Sequence, residues 1–250
     1  MPEPVLRLDA LCKRFGGLTV TDNVTFEVAA GELHAVIGPN GAGKTTLINQ
    51  ISGLTVPDAG RVLFAGRDVT ALSPSRRASL GLARSFQTTS VLPGFSVIEN
   101  VALAVQARTG SSFRFFSRAA DEVALNEPAL AALNEVGLAG RAGSLAGHLS
   151  HGERRALELA VTLAMQPMLL LLDEPMAGAG PEETQRLIAL LSRLKGRFPM
   201  LLIEHDMTAV FALADRISVM VYGRILTSGE PAAVRADPQV VAAYLGDGTV

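Results

Sequence analysis

Val24, Phe26 and Val28 alternate with polar neighbours, a period of two that predicts a half-buried strand. Most of the first sixty-odd residues read as strands. Leu33–Ile37 is a short apolar run that ends in a glycine-rich turn, GPNGAGKTT. Past the turn the period changes: Leu47, Ile48 and Ile51 recur at helical spacing, and Gly53 supplies a stop. Strand, glycine loop and helix, in that order, is what a phosphate-binding loop requires.

From about Val97 to Val136 the pattern is helical. Val97, Val101, Ala104 and Val105 share a face, as do Leu130, Leu133 and Gly137. Between them TGSSFRFFSR (109–118) is irregular, partly basic and carries three Phe. It reads either as an aromatic-anchored loop or as a contact for a membrane-embedded partner. A helix beginning near Ser150 carries Leu157, Val161 and Ala164 on one side. Leu169–Leu172 reads as a strand buried on both faces, the signature of a parallel sheet. Pro181, Glu182 and Glu183 open another helix, since proline suits the first turn and acids suit the helix dipole. Met200–Ile203 is a second buried strand, and Asp206 caps a helix carrying Val210, Phe211 and Ala214. Ser218–Val221 and Arg224–Thr227, split by Tyr222-Gly223, predict a hairpin. Strand–helix alternation on both sides of a helical stretch predicts an α/β core interrupted by a helical subdomain. There is no internal repeat and no low-complexity tract.

The 250 residues are enough for one large domain or two intimate ones, and 48% hydrophobic content with a net charge of −2 excludes a disordered chain. Without a basic block, charge offers no footprint for nucleic acid. A mean hydropathy of +0.31 raises the question of a membrane span. A span needs about 18–20 consecutive apolar residues, and runs such as Met168–Leu172 are stopped early, here by Pro167 and Asp173. The start, MPEPVLRLDA, lacks the basic and apolar regions of a signal peptide. Cys12 is the sole cysteine, which excludes an internal disulfide and suits a reducing compartment.

Two segments carry the chemistry. Gly38 to Thr45 satisfies G-x-x-x-x-G-K-[ST], in a chain whose only lysines are Lys13, Lys44 and Lys195. The glycines let backbone N–H groups turn inward, the following helix aims its positive end at the anion, and Lys44 reaches the β- and γ-phosphates. Asn40, Gly41, Ala42, Gly43, Lys44, Thr45 and Thr46 are the predicted nucleotide contacts, with the Thr45 hydroxyl a Mg²⁺ ligand. LLLLDEP (169–175) then places two carboxylates at the end of a buried strand, where open α/β sheets put their ligand crevice. Asp173 suits Mg²⁺, and Glu174 suits an attacking water. Hydrolysis of a nucleoside triphosphate follows as the expected reaction, with ATP and Mg²⁺ as cofactors.

With Gln87 in SFQ, Leu149-Ser150-His151-Gly152-Glu153 and Ile203-Glu204-His205-Asp206 placed in order around these two, the chain resembles an ABC-transporter ATP-binding subunit over nearly its whole length. The resemblance implies a P-loop NTPase (RecA-like) core with an antiparallel β subdomain and an inserted α-helical subdomain. Residues 1–87 and 161–230 would form the core, 88–160 the helical subdomain, and 231–250 a helical tail. It implies that Phe15 stacks on adenine, with a core Phe as the alternative. Gln87 would touch Mg²⁺ or water, and His205 the γ-phosphate, Glu174 and water. Ser150, Gly152 and Glu153 would meet the nucleotide of an opposing subunit, although S-x-x-E is by itself a helix capping box. His148 and His151 lack a carboxylate or cysteine to complete a metal site. The usual LSGGQ signature reads LSHGE here, and Ala179-Gly180 stand where the family has Leu-Asp or Leu-Asn, which weakens the expected exchange of contacts between subunits. KRFGGL, IEHDM and the tail AYLG (243–246) resemble the importer ATPases for branched-chain amino acids. The alternatives are a lipopolysaccharide-type exporter ATPase, which GERR (152–155) would suit, and a binding-only switch. Implied partners are a second ATP-binding subunit, identical or a paralogue, separate transmembrane permease subunits and, indirectly, a periplasmic solute-binding protein, with no nucleic acid. The implied location is the cytoplasmic face of a bacterial inner membrane.

Overall fold

The computed structural model describes residues 3–85, 91–109 and 123–245, which group into two compact units. The first draws on Met1–Arg84, Met168–Gly178 and Thr184–Val250; the second on Ser85–Pro167 and Ala179–Glu183. The chain opens with β1 (Leu6–Phe15), β2 (Leu18–Val28), β3 (Leu33–Ile37) and α1 (Lys44–Ser52). Next come β4 (Ala59–Phe64), β5 (Arg67–Asp68), α2 (Pro74–Ser79) and β6 (Leu82–Ser85). The second unit follows with α3 (Val97–Thr109), α4 (Val123–Glu135) and α5 (His151–Ala164). The chain then forms β7 (Leu169–Asp173), α6 (Pro181–Leu194), β8 (Met200–Ile203) and α7 (Met207–Leu213). It ends in β9 (Arg216–Val221), β10 (Arg224–Gly229), α8 (Pro231–Ala236) and α9 (Pro238–Leu245).

Within the first unit, the half-buried strands form a four-stranded antiparallel sheet ordered β2-β1-β4-β5. The wholly buried strands form the centre of a six-stranded sheet ordered β10-β9-β3-β8-β7-β6. There β3, β7, β8 and β9 run parallel, and β10 pairs antiparallel with β9. The alternation read in the sequence is real: Val24, Phe26 and Val28 point inward, with Leu6, Leu8 and Leu11 opposite them on β1. These side chains share one apolar cluster with Leu47, Ile48 and Ile51 of α1 and Leu169 and Leu171 of β7. At about 1.5–3 kcal/mol per fully buried aliphatic side chain, this packing fastens α1 to both sheets. The predicted hairpin forms between β9 and β10, and Tyr222 (φ 46°) and Gly223 (φ 82°) both take the left-handed backbone of a two-residue turn.

In the second unit α5 begins as read, with Ser150 as its N-cap. The helical phase of α4 differs from expectation. Leu125, Ala129, Ala132 and Leu133 are its buried side, and Leu130 is 37% exposed. Alanines supply half of that face, and a reading weighted toward large side chains misplaces it by one residue. Val161 is likewise only half-buried; Leu157, Ala160 and Ala164 form the inner stripe of α5.

Candidate nucleotide site

Three loops leave the parallel sheet side by side. Val36 of β3 and Asp173 of β7 both pair with Ile203 of β8, so the strands end in register. The segments that follow, starting at Gly38, Glu174 and Glu204, therefore emerge at one edge, where parallel sheets place their ligand crevice. This topology brings together Lys44, Asp173, Glu174 and His205 from positions up to 161 residues apart in sequence, as 205 − 44 shows.

The loop from Gly38 to Thr45 is held from behind. Gly223 N donates to Ala42 O at 2.9 Å, and Asp22 N donates to Gly223 O at 2.8 Å. Glycine is obligatory at two points because backbone passes so close. A Cβ on Gly38 would lie 2.0 Å from Met220 O, and one on Gly43 would lie 2.3 Å from Val20 O. Gly43, at φ 106°, is the N-cap of α1 and offers no side-chain cap to the first-turn amides. Those amides and the helix dipole are left to face an anion. Asn40, Gly41 and Thr45 are exposed, Thr46 is half-buried and Ala42 is buried. Lys44 is buried, its ammonium donating to Gly38 O at 2.6 Å and Pro39 O at 3.0 Å. Burial pulls its pKa below the usual lysine range, and the negative charge of Glu174 partly offsets this.

Asp173 is buried, and its Oδ2 accepts from Arg84 Nη2 at 2.7 Å. No described residue donates to its other oxygen. Glu174 sits half-buried at φ 47°, a strained backbone for glutamate, with its amide fixed on Ile203 O at 2.8 Å. Among the described residues no side chain hydrogen bond holds it. His205 is 62% exposed, with Nδ1 3.6 Å from Glu204 Oε2. Asp206 caps α7 as read, accepting from Thr208 N at 2.9 Å and Ala209 N at 3.1 Å.

Phe15 is 53% exposed at the end of β1, which removes the core reading. The Lys13 ammonium lies 5.5 Å from its ring centroid, and Asp58 holds that ammonium at 2.7 Å. Asp58 also accepts from Arg14 N at 2.7 Å. Lys13 and the Arg14 amide hold the Asp58 carboxyl below its usual range.

The second unit carries the signature residues. Ser150 Oγ accepts from Glu153 N at 3.3 Å while Glu153 Oε2 accepts from Ser150 N at 2.8 Å, a complete capping box. That backbone bond holds the Glu153 carboxyl below its usual range, with Arg141 3.5 Å away. The carboxylate is thereby committed to the cap. Gly152 faces Glu183 so closely that a Cβ would lie 3.1 Å from its carboxyl carbon. Gln87 and residues 110–118 of the aromatic stretch lie outside the described residues.

Two participants escaped the sequence reading. Arg84 precedes Gln87 by three residues, yet only folding pairs it with Asp173. Glu204 is wholly buried, accepting from Met176 N at 2.8 Å, His205 N at 2.9 Å and Asp206 N at 3.3 Å. Its signal was available: a carboxylate directly after an apolar strand must be paired if it is buried.

A glycine loop and lysine at the end of one parallel strand, two carboxylates at the next but one and a histidine between them define a P-loop nucleoside-triphosphate site. The ABC transporter family profile matches residues 21–177, and a second, described as branched-chain amino acid ATP-binding cassette transporter, matches residues 224–249. The chain belongs to the ABC transporter family, as one of its ATP-hydrolysing cassettes. It is 38% identical over 255 residues to the high-affinity branched-chain amino acid transport ATP-binding protein LivG of Escherichia coli (strain K12), covering 99% of this chain and 100% of LivG. It is 36% identical to BraF, the corresponding protein of Pseudomonas aeruginosa, with the same coverage. Among solved structures, the ADP conformation of an ATP-binding cassette of an ABC transporter superposes with a TM-score of 0.85 at 31% identity, covering 98% of this chain and 99% of that one. These relatives are ATP-binding components of transporters, and no helix among the described residues is long and apolar enough to cross a membrane.

Proposed function

We propose that this chain is the ATP-hydrolysing subunit of an importer for branched-chain or related amino acids. It would dock on a separate permease at the cytoplasmic face of a bacterial inner membrane and pair with a second ATP-binding subunit. A periplasmic solute-binding protein would supply the specificity. The match of residues 224–249 to the branched-chain amino acid cassettes carries the substrate class. Residues 1–87 and 161–230 would serve as the core, 88–160 as the helical subdomain and 231–250 as the tail; the two compact units share the two-part plan but group 161–167 and 179–183 with the helices and 231–245 with the core.

The loop amides from Asn40 to Thr46 and the Lys44 ammonium bind the β- and γ-phosphates, and Phe15 offers its exposed face to adenine. The donors at the sheet edge are hard oxygens, the Thr45 hydroxyl and the Asp173 oxygen that no described residue engages, a set that fits a small divalent cation retaining phosphate and water ligands. Thr45 and Asp173, with Gln87, would hold Mg²⁺, which supplies charge neutralisation on the phosphates. Glu174 accepts a proton from the attacking water, and His205 orients that water toward the γ-phosphate. Ser150, Gly152 and Glu153 present the capped end of α5 to the nucleotide of the opposing subunit, Ser150 through its hydroxyl and Glu153 through the cap it completes.

Phosphate release by vesicles holding the permease tests the reading. Glu174→Gln should lower turnover by on the order of a hundredfold while nucleotide affinity stays the same. Turnover should rise with a leucine-loaded solute-binding protein and not with a sulfate-loaded one. Equal, near-zero rates in wild type and Glu174→Gln would refute the hydrolytic role.

A further inference from the structure

Arg84 lies on β6 beside β7, with its side chain 13% exposed and that of Asp173 3% exposed. Its Nη2 reaches Asp173 Oδ2 at 2.7 Å, while Nη1 donates to Asn49 Oδ1 at 2.8 Å and Ser52 Oγ at 3.2 Å. Asn49 and Ser52 both belong to α1, the helix that begins at Lys44. The guanidinium is thus moored by neutral acceptors, which fix its place without quenching its charge. Its Nε is buried and has no hydrogen-bond partner among the described residues. Asp173 is the sole carboxylate among the described residues that neutralises it.

We propose that Arg84 is a positioning residue that acts as a resident counter-cation, sharing Asp173 with the Mg²⁺ of bound nucleotide and so setting how tightly the site holds that metal. The inference rests on the reading of Asp173 as the metal-side carboxylate. A buried carboxylate needs a compensating charge, and Arg84 supplies it before any metal arrives. Two cations drawing on one carboxylate repel across a short, poorly screened distance, so each weakens the other's hold. The moorings to Asn49 and Ser52 resist a swing of Arg84 out of the way, so the repulsion persists when the metal is bound. The cassette would therefore require more Mg²⁺ than its oxygen ligands alone dictate.

Binding of a fluorescent ATP analogue, titrated with Mg²⁺ and repeated in excess chelator, tests this on the intact chain. Arg84→Met and Arg84→Gln remove the charge, and Arg84→Lys keeps it. Half-saturating Mg²⁺ should fall by on the order of tenfold in both neutral variants and stay near wild type in Arg84→Lys. Retained binding of the analogue in chelator reports that a variant is folded, and either neutral variant suffices. An unchanged or weakened metal requirement in a folded neutral variant would overturn the proposal, as would Arg84→Lys behaving like the neutral variants. Wild-type binding indifferent to Mg²⁺ would instead overturn the reading of Asp173 on which it rests.

Discussion

Replacing Glu204 by glutamine conserves shape, so its effect isolates the hydrogen bonds. The wild-type carboxylate takes three backbone N–H donors, Met176 on Oε1 and both His205 and Asp206 on Oε2. A glutamine has one acceptor oxygen, which belongs on the side with two donors. Its NH₂ then faces Met176 N–H, and two donors oppose each other in a dry site. One lost bond and one orphaned amide cost about 1–3 kcal/mol. Glu204→Ala orphans all three amides, and about 3–6 kcal/mol follows, a large part of a stability of about 5–15 kcal/mol. Amide hydrogen exchange resolves the two cases. In Glu204→Gln the Met176 amide should exchange faster while His205 and Asp206 stay protected; in Glu204→Ala all three should open. Turnover should fall by on the order of tenfold to a hundredfold in both, because these bonds fix the loops that carry Glu174 and His205. Uniform protection of the three amides in Glu204→Gln, with stability unchanged, would refute the reasoning.

His34 gives a pH signature. It is wholly buried, with Nδ1 3.0 Å from Glu27 O and Nε2 2.8 Å from the Ser218 hydroxyl, and burial lowers its pKa from 6.5 to about 4. The Glu27 bond opposes that shift and Arg216 adds to it, while Glu32 lies 3.6 Å from Nδ1. The unfolded chain therefore binds the extra proton between those two values, and stability present above pH 6.5 is lost as pH falls toward 4. Urea unfolding of wild type and His34→Gln at several pH values should show a gap that changes by about 3 kcal/mol across this window; a constant gap would contradict it. Arg77 is also buried, 1% exposed and donating to the carbonyls of Gln50, Ile51, Thr70 and Leu72. Arg77→Met should cost about 3–5 kcal/mol, read as a lower denaturant midpoint at constant slope.

What the sequence showed plainly was local. The phosphate loop is legible because its backbone geometry tolerates few residues, and the Ser150–Glu153 box because its partners stand three positions apart. Tyr222-Gly223 is legible because so few dipeptides make a two-residue turn. The fold class follows from strands that change from half-buried to wholly buried. Arg84 and Asp173 are 89 residues apart, and nothing in either segment names the other. Glu204 is a different case. Its place after an apolar strand was visible, but whether a carboxylate there is buried depends on where Met176 lies. Arg77 is hidden for a similar reason, since its acceptors are backbone carbonyls with no side chain signature. Leu130 shows the cost of weighing size over phase on an alanine-rich helix.

The hairpin turn behind the phosphate loop has an optical use. The chain has no tryptophan and two tyrosines, Tyr222 and Tyr244. Tyr222 is 88% exposed and is bonded directly to Gly223, whose amide holds Ala42. A phenol one peptide unit from the loop's rear support is a native chromophore, with a single other emitter to subtract. Intrinsic fluorescence, without any dye, therefore tests whether seating a triphosphate moves this turn.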